Sequence, residues 1–427
     1  MTVQISHINK MLNGAITLPS SKSISNRVLM IKALSGLDIE ITNLSEAKDT
    51  QTLLQLLTTK GLTTFDVGHA GTSMRFLTAF LAMKEGEFIL TGSERMQQRP
   101  IKILVDALKI LGAEIECLNN EGFPPLKIKG KKLPGGEITI DGSVSSQYIS
   151  ALMLVAPYMK NGLKINFEGQ VTSKPYIEMT TEVMRYFGVE LLWMENSIEI
   201  KVGEYVSKDF LVEADWSAAS YWYSMVALSN KADITLQGLQ KESLQGDAVV
   251  ANIYENFGVK TEFIENGIRL TKNSSPITHH SPLFLDFTDC PDLAQTVAVT
   301  CAALNIPAKL TGLSTLRIKE TDRIAALQTE LCKLGYQVNI ENDDLIIFPS
   351  LRTEQGGVKQ SVTINEIASP LAMTNTIKTY NDHRMAMAFA PLALLYPIHI
   401  EDEDVVVKSY PNFWKDLTKV WLEINIV

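Results

Sequence analysis

The chain has 427 residues, 45% of them hydrophobic and 20% charged, with a net charge of -9 and a pI near 5.4. That length exceeds what one hydrophobic core usually fills, so two domains are expected, and the composition excludes a disordered chain. The acidic balance excludes a general nucleic-acid surface, and four Cys (Cys117, Cys290, Cys301, Cys332) without CxxC spacing read as free thiols in a reducing compartment.

In chain order, one kind of segment recurs: a short strand, a polar turn and an apolar helix rich in small residues. Ala15-Ile-Thr-Leu-Pro leads into Ser21-Lys-Ser-Ile-Ser-Asn-Arg, and Gly68-His-Ala-Gly-Thr into Ser73-Met-Arg-Phe-Leu. Ile138-Thr-Ile-Asp-Gly-Ser leads into Ser145-Ser-Gln-Tyr-Ile-Ser, and Leu211-Val-Glu-Ala-Asp into Ser217-Ala-Ala-Ser-Tyr-Trp. Leu283-Phe-Leu-Asp leads into Pro291-Asp-Leu-Ala-Gln, and Thr379-Tyr-Asn-Asp-His-Arg into Met385-Ala-Met-Ala. Between these lies a second kind of segment, an amphipathic helix ending in Gly and followed by a hairpin. Ile110-Leu-Gly-Ala, Tyr186-Phe-Gly-Val, Asn256-Phe-Gly-Val, Lys333-Leu-Gly-Tyr and the weaker Lys60-Gly-Leu fit it. The pattern predicts about six copies of one β-α-β-α-β-β unit, three per domain, in an α/β (α+β) fold. The polar, Gly-containing stretch from Ser350 to Ala372 reads as an inserted loop.

Each first-kind turn presents a helix N-terminus, which attracts anions through its unpaired N–H groups and helix dipole. Basic residues occupy the same places. Lys22, Arg27, Arg75, Arg323 and Arg384 lie in or just after these turns, and Arg99 and Lys408 stand beside Pro100 and Pro411. Such placement in an acidic protein points to a site for anions. Two carboxylates stand out as acid–base candidates. Asp292 follows Pro291 at a helix start, which favours its ionised form and suits a base. Glu320 lies in Lys319-Glu-Thr-Asp-Arg, three residues before Arg323, on the same face if the stretch is helical. Flanking cations favour its ionised form, so an acid role would need burial to offset them.

No G-x-x-x-x-G-K-[ST], G-x-G-x-x-G or H-E-x-x-H is present, and the adjacent His279-His280 reads as loop instead of a metal site. No metal or organic cofactor is expected. The first residues carry no apolar leader. The longest apolar stretch, Met385 to Ile398, is broken by Pro391 and Pro397 and falls short of the ~20 residues of a membrane helix, so a cytoplasmic protein with no membrane partner is expected.

At these same residues the sequence resembles the 5-enolpyruvylshikimate-3-phosphate synthase family, the enolpyruvyl transferases of aromatic amino-acid biosynthesis and the target of glyphosate. Leu18-Pro-Ser-Ser-Lys-Ser-Ile-Ser-Asn-Arg resembles the family's opening motif, and Ala70-Gly-Thr-Ser-Met-Arg its phosphate loop. Arg95-Met-Gln-Gln-Arg-Pro-Ile, Asp141-Gly-Ser-Val-Ser-Ser-Gln, Ser173-Lys-Pro-Tyr, Pro291-Asp, Arg317-Ile-Lys-Glu-Thr-Asp-Arg, Tyr380-Asn-Asp-His-Arg-Met-Ala-Met and Lys408-Ser-Tyr-Pro follow in the family's order. The resemblance implies an inside-out α/β barrel in each of two domains, residues 1–18 with 215–427 and residues 19–214. The former would carry the catalytic carboxylates and phosphoenolpyruvate-binding basic residues. The latter would bind shikimate-3-phosphate, with its first unit shortened. A monomer is the family-like expectation.

The resemblance also implies roles. Shikimate-3-phosphate would be held by Lys22, Ser23, Arg27, Ser145, Ser146, Gln147, Ser173, Tyr176, Asp292, Thr315 and Lys319, with Arg27 offering two parallel N–H bonds to the carboxylate. Phosphoenolpyruvate would be held by Lys22, Gly71, Thr72, Arg99, Gln147, Arg323, Arg384 and Lys408. Asp292 would be the base on the 5-hydroxyl, Glu320 the proton donor to C3, and Lys408 or Lys22 the donor to the departing phosphate. His69, Phe76, Thr315 and Ser20 stand where the family commonly has Asn, Pro, Asn and Gly. Phe76 is expected to alter affinity for phosphoenolpyruvate or for glyphosate, which competes with it. Two other readings differ in chemistry. The sister transferase acting on UDP-N-acetylglucosamine uses a loop Cys, and no Cys follows Arg99-Pro100 here. A catalytically silent phospho-ligand-binding protein would have no use for Lys22, Asp292, Glu320 and Lys408 together.

Overall fold

The structure is a computed structural model describing residues 1–7, 9–273, 281–349 and 375–426; His279-His280 and the whole of the expected Ser350–Ala372 loop lie outside the described residues. The chain divides into two compact units. The first comprises Met1–Leu18, Trp216–Lys241 and Asp247–Val427, and the second Pro19–Asp215 with Glu242–Gly246. The short segment Glu242–Gly246 departs from the expected division, and hydrogen bonds explain why. Within the second unit, Gln245 Nε2 donates to Glu213 Oε2 at 2.9 Å and to the Ala214 carbonyl at 2.8 Å, and Ser243 Oγ donates to Glu213 Oε2 at 2.6 Å. Glu213 and Gln245 are buried, and these bonds satisfy polar atoms that water does not reach.

Among the described residues, five four-stranded sheets share one pairing pattern, a parallel pair with a third strand antiparallel to the second and a fourth antiparallel to the third. In four of them the two added strands are a hairpin. The second unit has Thr64–Asp66, Gly86–Thr91, Leu126–Gly130 and Glu114–Cys117 in that spatial order, and Gly136–Asp141, Leu163–Glu168, Ser197–Ile200 and Leu191–Met194 in the same order. The first unit repeats it with Met11–Thr17, Lys231–Gln237, Gly267–Lys272 and Val259–Ile264, and with Leu283–Asp286, Ala308–Thr311, Asp344–Phe348 and Gln337–Glu341. Its remaining sheet is closed by the chain's first strand. Thr2–Ser6 lies antiparallel between Ile398–Glu401 and Glu423–Ile426. The sixth sheet has only the parallel pair, Ile41–Thr42 with Phe210–Leu211, and no hairpin.

Composition explains which helices lie inside. Ala294–Ala303 and His383–Phe389 are buried at every residue, and Trp216–Leu228 at all but Ser217. Without a polar face, such helices are stable only when surrounded. In the second unit, Lys22–Ser35, Gly71–Met83 and Ser146–Val155 pack against one another in the same way. The amphipathic helices, among them Lys102–Ile110, Lys174–Tyr186 and Arg323–Lys333, bury one stripe each. The glycines that end or follow such helices, Gly61, Gly112, Gly188, Gly258 and Gly335, all take φ between 71° and 97°, a left-handed turn that costs glycine least. No helix among the described residues is long and apolar enough to cross a membrane.

Candidate active site

The buried helices begin where the sequence puts its polar turns, and those starts carry the candidate residues of each unit.

In the first unit, Asp292 sits in the turn Pro291–Leu293 before Ala294–Ala303, Arg323 opens the helix Arg323–Lys333, and Arg384 lies in the first turn of His383–Phe389. These turns converge. Arg323 Nη1 donates to Asp292 Oδ1 at 3.0 Å and Nη2 to Glu320 Oε2 at 2.9 Å. Arg384 Nη2 donates to Asp292 Oδ2 at 2.9 Å and Nη1 to the Asp292 carbonyl at 3.2 Å. Lys319 Nζ lies 3.7 Å from Asp292 Oδ1, and Lys408 Nζ donates to Glu320 Oε1. Thr315, four residues before Lys319, is not hydrogen-bonded to this group; its Oγ1 is buried without a partner. The expected helix face shared by Glu320 and Arg323 is not how they meet. The helix starts at Arg323 itself, and Glu320 folds back on it from the preceding turn.

One member escaped the sequence reading although it lies in a quoted motif. Asp382 is 0% exposed. It takes Arg323 Nε at 2.6 Å on Oδ2 and Arg323 Nη2 at 3.2 Å on Oδ1. Its Oδ1 also accepts the Arg384 N–H at 2.9 Å, capping the helix that carries Arg384. Asp382 therefore fixes two cations at once. Its place beside Arg384 in Asn-Asp-His-Arg was the available signal.

The electrostatics follow from this packing. Burial pushes the Asp292 carboxyl up, but Arg384, Lys319 and Arg323 outweigh it and hold the group well below the usual carboxylate range. Burial works against the Arg323 cation, and Asp382, Glu320 and Asp292 more than restore it, so it stays charged. Lys319, Arg323, Arg384 and Lys408 face Asp292, Glu320 and Asp382. Four cations against three carboxylates leave an excess of positive charge for an anionic ligand.

In the second unit the candidates again cluster at helix starts. Ser21 caps Lys22–Ser35 and Ser145 caps Ser146–Val155, accepting from Ile24 N and Gln147 N. Gln147 Nε2 donates to Thr72 Oγ1 at 3.2 Å, tying two of these turns together. Ser173 holds a left-handed φ of 52° before Lys174–Tyr186, and Tyr176 lies in that helix's first turn. The Arg99 guanidinium lies over Gly71. A Cβ there would meet Nη1 at 2.7 Å, so this placement of the guanidinium depends on glycine and any larger residue would push it aside. Arg99 is 7% exposed and its Nε is buried without a partner. Lys22 Nζ is held by Asp49 at 3.1 Å, and its backbone N–H by Asp215 at 3.4 Å. Neither acid was singled out from sequence: Asp49 lies outside the recurring turns, and Asp215 lies in one, Leu211-Val-Glu-Ala-Asp, with nothing local to mark its partner.

Arg27 differs from expectation. It is 2% exposed and most of its fork is used within the unit: Nε donates to Thr180 Oγ1 at 2.7 Å, Nη1 to the Ser23 carbonyl at 2.8 Å, and Nη2 to Ser150 Oγ at 3.2 Å and the Tyr176 carbonyl at 3.0 Å. Of its five N–H bonds one remains, on Nη1, so two parallel bonds to a ligand are not available in this arrangement. Burial pushes its pKa down to about 10, with Tyr176 opposing.

The sequence model of EPSP synthase (3-phosphoshikimate 1-carboxyvinyltransferase) matches residues 7–66 and 58–417. The chain belongs to the EPSP synthase family. It is 50% identical over 417 residues to the 3-phosphoshikimate 1-carboxyvinyltransferase of Bacteroides fragilis strain YCH46, covering 97% of each chain. It is 36% identical over 450 residues to that of Haemophilus influenzae strain Rd, covering 96% of this chain and 97% of the relative. A solved EPSP synthase from Acinetobacter baumannii has the same fold, with a TM-score of 0.76, 22% identity and full coverage of both chains.

Proposed function

We propose that this EPSP synthase family member transfers the enolpyruvyl group of phosphoenolpyruvate to the 5-hydroxyl of shikimate-3-phosphate and releases phosphate. The observation that carries the reading is the first unit's ion-pair cluster, where two carboxylates, Asp292 and Glu320, are each held by cations of a size and number suited to a phosphate and a carboxylate. The oxygen of the 5-hydroxyl attacks C2 of phosphoenolpyruvate, Asp292 takes the hydroxyl proton, and Glu320 delivers a proton to C3. Elimination then reverses the C3 protonation, breaks the C2–O bond to phosphate and restores the double bond.

The empty site makes Asp292 a weak base, since three cations stabilise its charge. A bound dianion on Lys319 and Arg384 offsets those charges and returns basicity to the carboxylate, which couples base strength to the presence of substrate. Glu320 accepts a hydrogen bond from Lys408, which provides a route for its reprotonation and a donor for the departing phosphate. Arg323 spends four N–H bonds on carboxylates. Its part is to hold Asp292 and Glu320 in register, with one Nη1 hydrogen left for phosphoenolpyruvate. Lys22, Ser23, Arg27, Ser145, Ser146, Gln147, Ser173 and Tyr176 of the second unit, and Thr315 and Lys319 of the first, are the residues proposed for shikimate-3-phosphate. Gly71, Thr72 and Arg99 of the second unit, and Arg384 and Lys408 of the first, are the residues proposed for phosphoenolpyruvate.

Phosphate release with both substrates tests this. Release that requires shikimate-3-phosphate, and does not occur with UDP-N-acetylglucosamine as acceptor, is expected. Release with the nucleotide sugar instead, or no release with either, would overturn the reading.

A further inference from the structure

Arg27 is a buried cation that meets no carboxylate among the described residues, and its surroundings are organised around that fact. The Thr180 and Ser150 hydroxyls lie 2.7 Å apart, and Thr180 Oγ1 is 2.9 Å from the Tyr176 carbonyl. Each hydroxyl has one proton to give. Thr180 gives its proton to the Tyr176 carbonyl and Ser150 gives its own to Thr180, which leaves lone pairs of both oxygens facing the guanidinium. The Phe76 ring, 1% exposed, lies 5.7 Å from the Arg27 carbon Cζ. Its negative π face favours the cation without neutralising it. These contacts come from Gly71–Met83, Ser146–Val155 and Lys174–Tyr186, the helices whose first turns carry Thr72, Gln147 and Tyr176.

We propose that Thr180, Ser150 and Phe76 are positioning residues for Arg27, holding a full positive charge in place with neutral partners so that shikimate-3-phosphate supplies its counter-charge. This rests on the assignment of Arg27 to that ligand. A carboxylate in place of Thr180 would orient the guanidinium equally well and cancel its charge, as Asp382 does for Arg323. The arrangement also redirects the expectation for Phe76. Its ring touches the shikimate-3-phosphate arginine, so replacing it acts on that substrate before phosphoenolpyruvate.

The test is steady-state kinetics for each substrate, with calorimetry of shikimate-3-phosphate binding and a thermal melt of every variant. Thr180→Val should raise Kd and KM for shikimate-3-phosphate about 10-fold and leave KM for phosphoenolpyruvate within about 2-fold, with Thr180→Ser restoring parental values. Phe76→Leu should raise the same two constants about 3-fold. Arg27→Lys is the control for the underlying assignment. If it binds shikimate-3-phosphate normally, Arg27 is not part of that site and the proposal falls with the assignment. If Arg27→Lys loses affinity while Thr180→Val and Phe76→Leu do not, or if both KM values rise together, the positioning role alone is wrong. Should Thr180→Val fail to fold, Phe76→Leu and Ser150→Ala carry the same comparison.

Discussion

The two units hold the arginines among their candidate residues in different ways. In the first unit every site cation contacts a carboxylate, and Arg323 contacts three. In the second, Lys22 pairs with Asp49, but Arg27 and Arg99 are held by hydroxyls, carbonyls, a ring and a glycine-sized gap, with no carboxylate on either arginine among the described residues. Mutual pairing fixes the geometry and protonation state of groups that must move protons. Neutral support keeps charge available for binding. The first arrangement therefore suits chemistry and the second suits affinity, and each variant below asks whether that division holds.

The largest effect is expected at Asp292. Asp292→Asn keeps the shape and removes the base, and kcat should fall by about 10² to 10⁴ with KM values changed far less; stopped assays at saturating substrates measure it. Next is Asp382→Ala, which leaves the Arg323 guanidinium buried against one carboxylate fewer and takes the cap from His383–Phe389. A loss of about 3–5 kcal/mol in denaturant unfolding is expected, with activity lost at temperatures where the parent is still folded. Gly71→Ala puts a Cβ 2.7 Å from Arg99 Nη1, and the side chain must shift. KM for phosphoenolpyruvate should rise about 10-fold while the melting temperature barely moves. A rise in KM for shikimate-3-phosphate instead would mean that Arg99 serves the other ligand. The smallest effect is on acid stability. Asp292 is depressed in the folded state, so the stability it contributes is full above its unfolded pKa of roughly 4 and is lost as pH falls further. Unfolding curves between neutral pH and pH 3 should lose stability more steeply below pH ~4 in the parent than in Asp292→Asn.

What could be read from the sequence follows from what is local. The Gly positions after helices and the polar turns before them are set by backbone geometry within a few residues, and they carried the repeat. Asp292, Arg323 and Arg384 stand out for the same reason, because each lies at the start of a helix. Contacts across the fold were not legible. Thr180 and Ser150 are ordinary helix residues in sequence, and only packing brings them to Arg27. Glu242–Gly246 looks like any connection until Glu213 and Gln245 are seen to share bonds. Thr2–Ser6 completes a sheet begun near residue 376, a pairing no short-range pattern encodes. The Glu320–Arg323 pair was foreseen at the right spacing and for the wrong reason, since a turn and not a helix brings the two together.

The division of roles between the units is tested most directly by the rate of phosphate release from Arg27→Lys and Glu320→Gln as both substrates are raised to saturation. Arg27→Lys should climb to within a few fold of the parental kcat once shikimate-3-phosphate is high enough, whereas Glu320→Gln should stay at least about 100-fold slow at every concentration. If Glu320→Gln recovers at high substrate, or if Arg27→Lys stays slow when saturated, binding and proton transfer are not divided between the two units as described.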